Sequence, residues 1–125
     1  MTYTGRPSTT IAGMPYRDLD VLDAATKVAD LVNKLIDGSP RGRLLHVRQL
    51  RDAVQSIGAN ISEAFGREPG RARNHSLDIA RGETEEAIRH MQANFRGSRV
   101  SATDYWPIRN KLVVIAKMLT GLLRR

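Results

Sequence analysis

The chain has 125 residues, with 20 Lys or Arg against 13 Asp or Glu, a net charge of +7 and a pI near 10.5. That length fits one domain, able to bury roughly two-thirds of the surface its unfolded chain exposes. The absence of cysteine excludes disulfides, thiolate zinc sites and thiol nucleophiles.

Residues 1–15, "MTYTGRPSTTIAGMP", mix Thr, Ser, Gly and Pro without periodicity and read as a flexible N-terminal tail. They lack the apolar segment of a secretory signal, and no apolar run approaches the 18 or more residues of a membrane span. The expectation is a cytoplasmic protein with no membrane partner. Residues 16–125 read as one domain.

Four helical patterns follow, and no strand pattern competes with them. The first spans about residues 19–36, with Val21, Ala24, Val28, Leu31 and Leu35 at spacings of three and four. Leu22, Ala25, Ala29, Val32 and Ile36 widen this face, and "DGSPRG" at 37–42 stops it. The second spans about 43–65, seamed by Val47, Leu50, Val54, Ile57, Ile61 and Ala64, with Gly66 as its stop. Within it, "SIGANISEAF" places Gly58 and Asn60 beside the apolar seam, although Gly in a helix interior costs about 1 kcal/mol relative to Ala.

The third spans about 69–96, opening on Pro69 and seamed by Leu77, Ala80, Thr84, Ala87 and Met91. The fourth spans about 103–123, seamed by Tyr105, Ile108, Leu112, Ile115, Leu119 and Leu122, with Pro107 expected in its first turn. Four helices of similar length with short connections predict an all-α, antiparallel up-down-up-down four-helix bundle.

That topology sorts the charge. One end of the bundle would gather Arg41, Arg43, Arg96 and Arg99; the other would gather Arg67, Arg71, Arg73, Arg124 and Arg125, with Glu68 as its one acid. Nine arginines less one glutamate place +8 at the ends and leave −1 on the waist. Sixteen of the 20 basic residues are arginine, which pairs with phosphate through a planar two-pronged donor that lysine lacks. Polar, solvated loops and an Arg-rich codon usage are the ordinary explanations. Charge concentrated at both ends raises RNA or DNA as a partner above them. Arg71 and Arg73 stand near the start of the third helix, where the dipole disfavours cations and free N–H groups favour an anion; a later helix start would remove that opposition.

Catalytic patterns are missing. "EAIRH", Glu86 to His90, is one residue too long for the Glu-x-x-His of a di-iron bundle, and His46, His75 and His90 have no metal-ligand spacing. No phosphate-binding Gly-rich loop or nucleophile-elbow motif occurs. Glu63, Glu83 and Glu86 are the carboxylate candidates, better read as capping, pairing and solvation. The expectation is a protein that is not an enzyme, with no cofactor and no metal.

Trp106, Val113 and Val114 fall away from the seam of the fourth helix, and a monomer would expose them. The N-terminal tail could cover them, but self-association is the favoured reading. Gly58 and Asn60, flanked by Ser56, Ala59 and Ser62, would let another backbone approach, so these five positions (Gly58, Asn60, Trp106, Val113, Val114) are the oligomer-interface candidates.

The stretch "QLRDAVQSIGANISEAFGR", Gln49 to Arg67, resembles the signature Q-L-R-x-A-x-x-S-I-P-x-N-I-A-E-G-x-G-R of the bacterial four-helix-bundle proteins first known from intervening sequences of 23S ribosomal RNA genes. Gln49, Leu50, Arg51, Ala53, Ser56, Ile57, Asn60, Ile61, Glu63, Gly66 and Arg67 match. "YRDLDV" at 16–21, "IARG" at 79–82 and "KMLTGLL" at 117–123 resemble three further motifs of that family in the same order. Gly58 stands in place of the usual proline, Leu22 in place of a tryptophan, and "ETEEA" in place of S-L-x-E-L. The resemblance implies a bundle assembling as a ring, typically a homopentamer. It also implies distant kinship with the accessory protein of diversity-generating retroelements, which binds nucleic acid and a reverse transcriptase.

Two functions stand side by side at this point. One is a ring-forming bundle that binds RNA or DNA through its arginine-rich ends. The other is a homo-oligomeric protein–protein scaffold whose charge serves solubility.

Overall fold

The structure is a computed structural model, and it describes residues 16–124. The tail at 1–15 and Arg125 lie outside the described residues. Four helices account for the fold: α1 (Tyr16–Gly38), α2 (Val47–Phe65), α3 (Arg71–Arg96) and α4 (Ala102–Leu123). Among the described residues there is no strand. α1 packs on α2 and α4, and α3 packs on the same two, which leaves α1 diagonal to α3 and α2 diagonal to α4. This is the antiparallel up-down-up-down bundle that the four patterns predict.

Most of the seams fall where spacing put them. Leu50, Val54, Ile57, Ile61 and Ala64 of α2 are buried, as are Leu77, Ala80, Thr84, Ala87 and Met91 of α3 and Tyr105, Ile108, Leu112, Ile115 and Leu119 of α4. In α1 the buried stripe is Val21, Ala25, Val28, Val32 and Ile36, while Ala24, Leu31 and Leu35 are only partly covered. The buried line is thus drawn mainly from Ala25, Val32 and Ile36, residues that widened the predicted face. Among these, Leu50, Ile57, Ile61, Leu112, Ile115 and Leu119 are fully excluded from solvent. At about 1.5–3 kcal/mol each they supply about 9–18 kcal/mol, comparable with the whole net stability of a domain.

All four helix starts differ from expectation, α1 by beginning at Tyr16 rather than near 19. α2 begins at Val47 rather than near 43, because Gly42 (φ 81°) and His46 (φ 57°) turn the chain through the left-handed region. α3 begins at Arg71, since Gly70 at φ 150° and ψ −162° interrupts the chain after Pro69. α4 begins at Ala102, capped by the Ser101 hydroxyl, which accepts from the Asp104 N–H at 3.2 Å. Pro107 therefore sits beyond the first turn, inside the helix. The carbonyl left without an intrahelical donor belongs to Thr103, which is exposed and can take water instead.

Gly58 has a local answer. A Cβ built there would lie 4.0 Å from the Cβ of Ala25, so this flank of α2 faces a small residue of α1 in the same chain. The two helices are also pinned by Arg51, whose guanidinium donates to Asn33 Oδ1 and to Asp37 Oδ1, each at 2.7 Å.

Candidate nucleic-acid interface

The first pole is built by the α1–α2 and α3–α4 connections, and their shared end is proved by direct bonds. Asn94, in the last turns of α3, is 1% exposed. Its Oδ1 accepts from the Leu45 N–H at 2.7 Å, and its Nδ2 donates to the Leu45 carbonyl at 3.1 Å and to the His90 carbonyl at 2.9 Å. A single amide thus clamps the α1–α2 connection to α3. Arg99 adds a second strut, donating from Nη1 to the Arg43 carbonyl at 2.9 Å. Arg41, Arg43 and Arg96 are exposed at this end, while Arg99 is half-buried against the loop. The four arginines do share a pole, with Arg99 holding the backbone that carries Arg43.

The second pole joins the end of α2, the 66–70 connection and the start of α3. The Gly66 N–H closes α2 by bonding the carbonyls of Ser62 and Glu63, each at 3.2 Å. Arg67 pairs with Glu63 at 3.0 Å, with about half of each side chain exposed. Such an exposed pair holds the guanidinium weakly and leaves it available. α3 then starts on Arg71, with Gly70 as its N-cap, no side-chain cap and no acid in its first turn. The late start that would have removed the opposition between dipole and cation is excluded. Arg71 and Arg73 occupy the first turn, among backbone N–H groups that have no intrahelical acceptor.

Arg71 is exposed; Arg73 is half-buried, its guanidinium 5.1 Å from the centre of the Phe65 ring. That stacking closes the corner between α2 and α3 and gives Arg73 a structural duty. Arg124, exposed, follows the last residue of α4. Arg125 lies outside the described residues.

The carboxylate candidates do not converge. Glu63 lies at the second pole with Arg67, whereas Glu86 bonds Arg89 and lies 2.9 Å from His90 Nε2. The Arg89 hydrogen bond, with smaller help from the charge of His90, lowers the Glu86 pKa against a partial opposing desolvation. Glu83 shares a groove with Glu86 and Asp52 between α2 and α3. His46 and His90 approach ring to ring at 5.2 Å across the first pole, a contact their sequence separation did not signal.

The interface candidates separate into two kinds. Trp106 and Val114 are exposed, at 46% and 52%. Val113 is half-buried. Trp106 is partly occupied within the chain: it packs edge-on against Phe95 and Tyr105, and Arg109 stacks on its ring. Asn60 bonds back to Ser56 of its own helix, through both the carbonyl and the hydroxyl. Ile79, 38% exposed on α3, belongs with the exposed set and was not picked out, because it reads as one more apolar residue of a helical pattern. Among the described residues no helix is long and apolar enough to cross a membrane.

Comparison with known proteins agrees with this architecture. The family model described as 23S rRNA-intervening sequence protein matches residues 17–121. A solved structure from Bacteroides thetaiotaomicron, a protein of unknown function from the S23 ribosomal protein family, superposes with a TM-score of 0.79 at 25% identity. The match covers 87% of this chain and 99% of that one. No curated protein matches the chain.

Proposed function

Since this chain belongs to the 23S rRNA-intervening sequence protein family, we propose that it is a non-enzymatic, self-assembling bundle that binds RNA or DNA through its arginine-bearing poles. The observation that carries the reading is the second pole. There α3 opens on Arg71 with an uncapped N-terminus, and exposed Arg67 and Arg124 stand at the same end. Uncompensated N–H groups with exposed guanidinium groups at the same end suit a phosphate. Contacts to phosphate position a protein without reading bases, so binding through them is largely indifferent to sequence. Assembly into a ring, as the family resemblance implies, would line up one such pole per copy and multiply weak contacts by avidity.

The exposed Trp106, Ile79 and Val114 favour the second reading, a homo-oligomeric scaffold with a protein partner such as a polymerase. Salt separates the two. A phosphate binder loses affinity with a slope of log K against log salt of about −0.9 per neutralised phosphate on duplex DNA, or about −0.7 on single strands.

The test is fluorescence anisotropy of a labelled structured RNA and a matched DNA duplex over a salt series, using the wild type and the triple variant Arg67→Ala, Arg71→Ala, Arg124→Ala. Arg73 is left in place because it stacks on Phe65. The expected result is salt-steep binding whose slope on duplex flattens by about 2–3 in the variant. Absence of binding at low salt would remove the nucleic-acid reading and leave the scaffold.

A further inference from the structure

Trp106 is the only tryptophan of the chain, and it is placed unlike the other exposed apolar side chains. Ile79 and Val114 stand further along their helices, whereas Trp106 lies about 6 Å, measured along the helix, from the start of α4 at the first pole. There the rings of Phe95 and Tyr105 stack face to face at 4.2 Å. Trp106 stands beside that stack, at 70° to the Phe95 ring and 69° to the Tyr105 ring. Tyr105 is buried, so the stack fixes one flank of the indole, while 46% of Trp106 stays open to solvent. A large flat ring, held in place and left nearly half open, is a surface for another flat ring.

The charge around it is positive. The Arg109 guanidinium lies over the indole, 5.7 Å from its centre, and its one hydrogen bond among the described residues is a 3.3 Å bond to the neighbouring Asn110. Arg96, exposed in the last turn of α3, follows the Phe95 on which Trp106 packs. Neither arginine has an acid within ion-pair distance among the described residues. Arg41 and Arg43 are exposed at the same pole. The acid of the first turn of α4, Asp104, lines the groove on the α1 side with Lys34, away from the α3 side where Trp106 meets Phe95.

We propose that Trp106 is a stacking platform for an unpaired base, with Arg109 and Arg96 drawing in the phosphates of the same strand, so that the first pole takes single-stranded segments of RNA or DNA in preference to duplex. The inference rests on the nucleic-acid reading above and names the nucleotide state this pole accepts. A base inside a duplex has both faces covered by its neighbours, and only an unpaired one offers a face to an aromatic side chain. Every base has such a face, so stacking tolerates any sequence, as phosphate contacts do. The aliphatic Ile79 and Val114 offer no ring to stack on.

The test uses the single tryptophan as its own reporter. Its fluorescence, excited selectively over the tyrosines, is followed as the full chain is titrated at low salt. The titrants are a short single-stranded oligonucleotide, of RNA and of DNA, the same sequence as a duplex, and heparin. The single strand is expected to quench the emission, the duplex to quench it much less, and heparin, a polyanion without bases, to bind without quenching. By anisotropy, Trp106→Ala is expected to lose single-strand affinity about 5- to 150-fold, the effect of one stacked base, and duplex affinity much less. Trp106→Phe keeps a ring and is expected to recover part of the loss, with circular dichroism checking that both variants fold. Binding that leaves the emission unchanged and survives Trp106→Ala would overturn the platform and leave phosphate binding at the poles standing. Absence of binding to all titrants would overturn it together with the nucleic-acid reading. Unchanged emission with a Trp106→Ala variant that sediments at lower mass than the wild type would overturn it in favour of a protein contact.

Discussion

Asn94 offers the sharpest test of how this bundle holds its first pole. Replacing it with alanine deletes three hydrogen bonds at a site that is 1% exposed, and strands the N–H and carbonyl of Leu45 together with the side-chain volume. The His90 carbonyl still has its helical partner, so only the two Leu45 groups lose a necessary bond. Each buried group left unsatisfied costs about 1–3 kcal/mol. Leu45 is only partly buried and can recover some hydration, which brings the expected loss to about 2–4 kcal/mol.

For a domain of this size that corresponds to a fall in melting temperature of roughly 8–20 °C. Asn94→Asp probes the same bonds without a change of shape. It turns the Nδ2 donor into a carboxylate oxygen facing two carbonyls, so it should cost more than alanine near neutral pH and less on acidification, when the carboxyl regains a proton to donate. Urea unfolding followed by circular dichroism measures both. A loss below about 1 kcal/mol for Asn94→Ala would refute the clamp and mean that the α1–α2 connection is held by packing alone.

Gly58→Ala should stabilise the chain by up to about 1 kcal/mol, because its new methyl meets Ala25 at an ordinary 4.0 Å, whereas a destabilisation would show that the helix needs glycine there. Ser101→Ala, which removes the only side-chain cap seen on α2, α3 or α4, should cost about 1 kcal/mol in urea unfolding. Arg51→Ala should cost about 1 kcal/mol through its lost bonds to Asn33 and Asp37, with the Asp37 share weakening in high salt. The Glu86 pKa is lowered by Arg89 and His90, so its stabilising contribution is full above the ordinary carboxylate pKa and fades as pH falls through the lowered value. Glu86→Gln should therefore lose less stability than the wild type across that acid window.

Periodicity alone determined the helices, their order and most of the core. Spacings of three and four identified the buried stripe of α2, α3 and α4. They misplaced the centre of the α1 stripe because its broad apolar face offers two parallel lines, and periodicity does not say which of them turns inward. Helix starts failed at His46, Gly70 and Ser101 because backbone dihedrals and a capping hydroxyl decide them over one or two residues, below the reach of any pattern. The gathering of arginines at two ends was legible, since it needs only the topology and the loop positions.

Only the folded chain could distribute their duties. Arg41, Arg43 and Arg96 stand free of the core at one pole and Arg67, Arg71 and Arg124 at the other, while Arg99 braces the Arg43 backbone and Arg73 stacks on Phe65. Asn94, 49 residues from the backbone it clamps, carries no mark in the sequence to distinguish it from a solvated asparagine. A hydrogen bond across such a gap exists only after the helices have packed, because packing alone brings its two ends within reach.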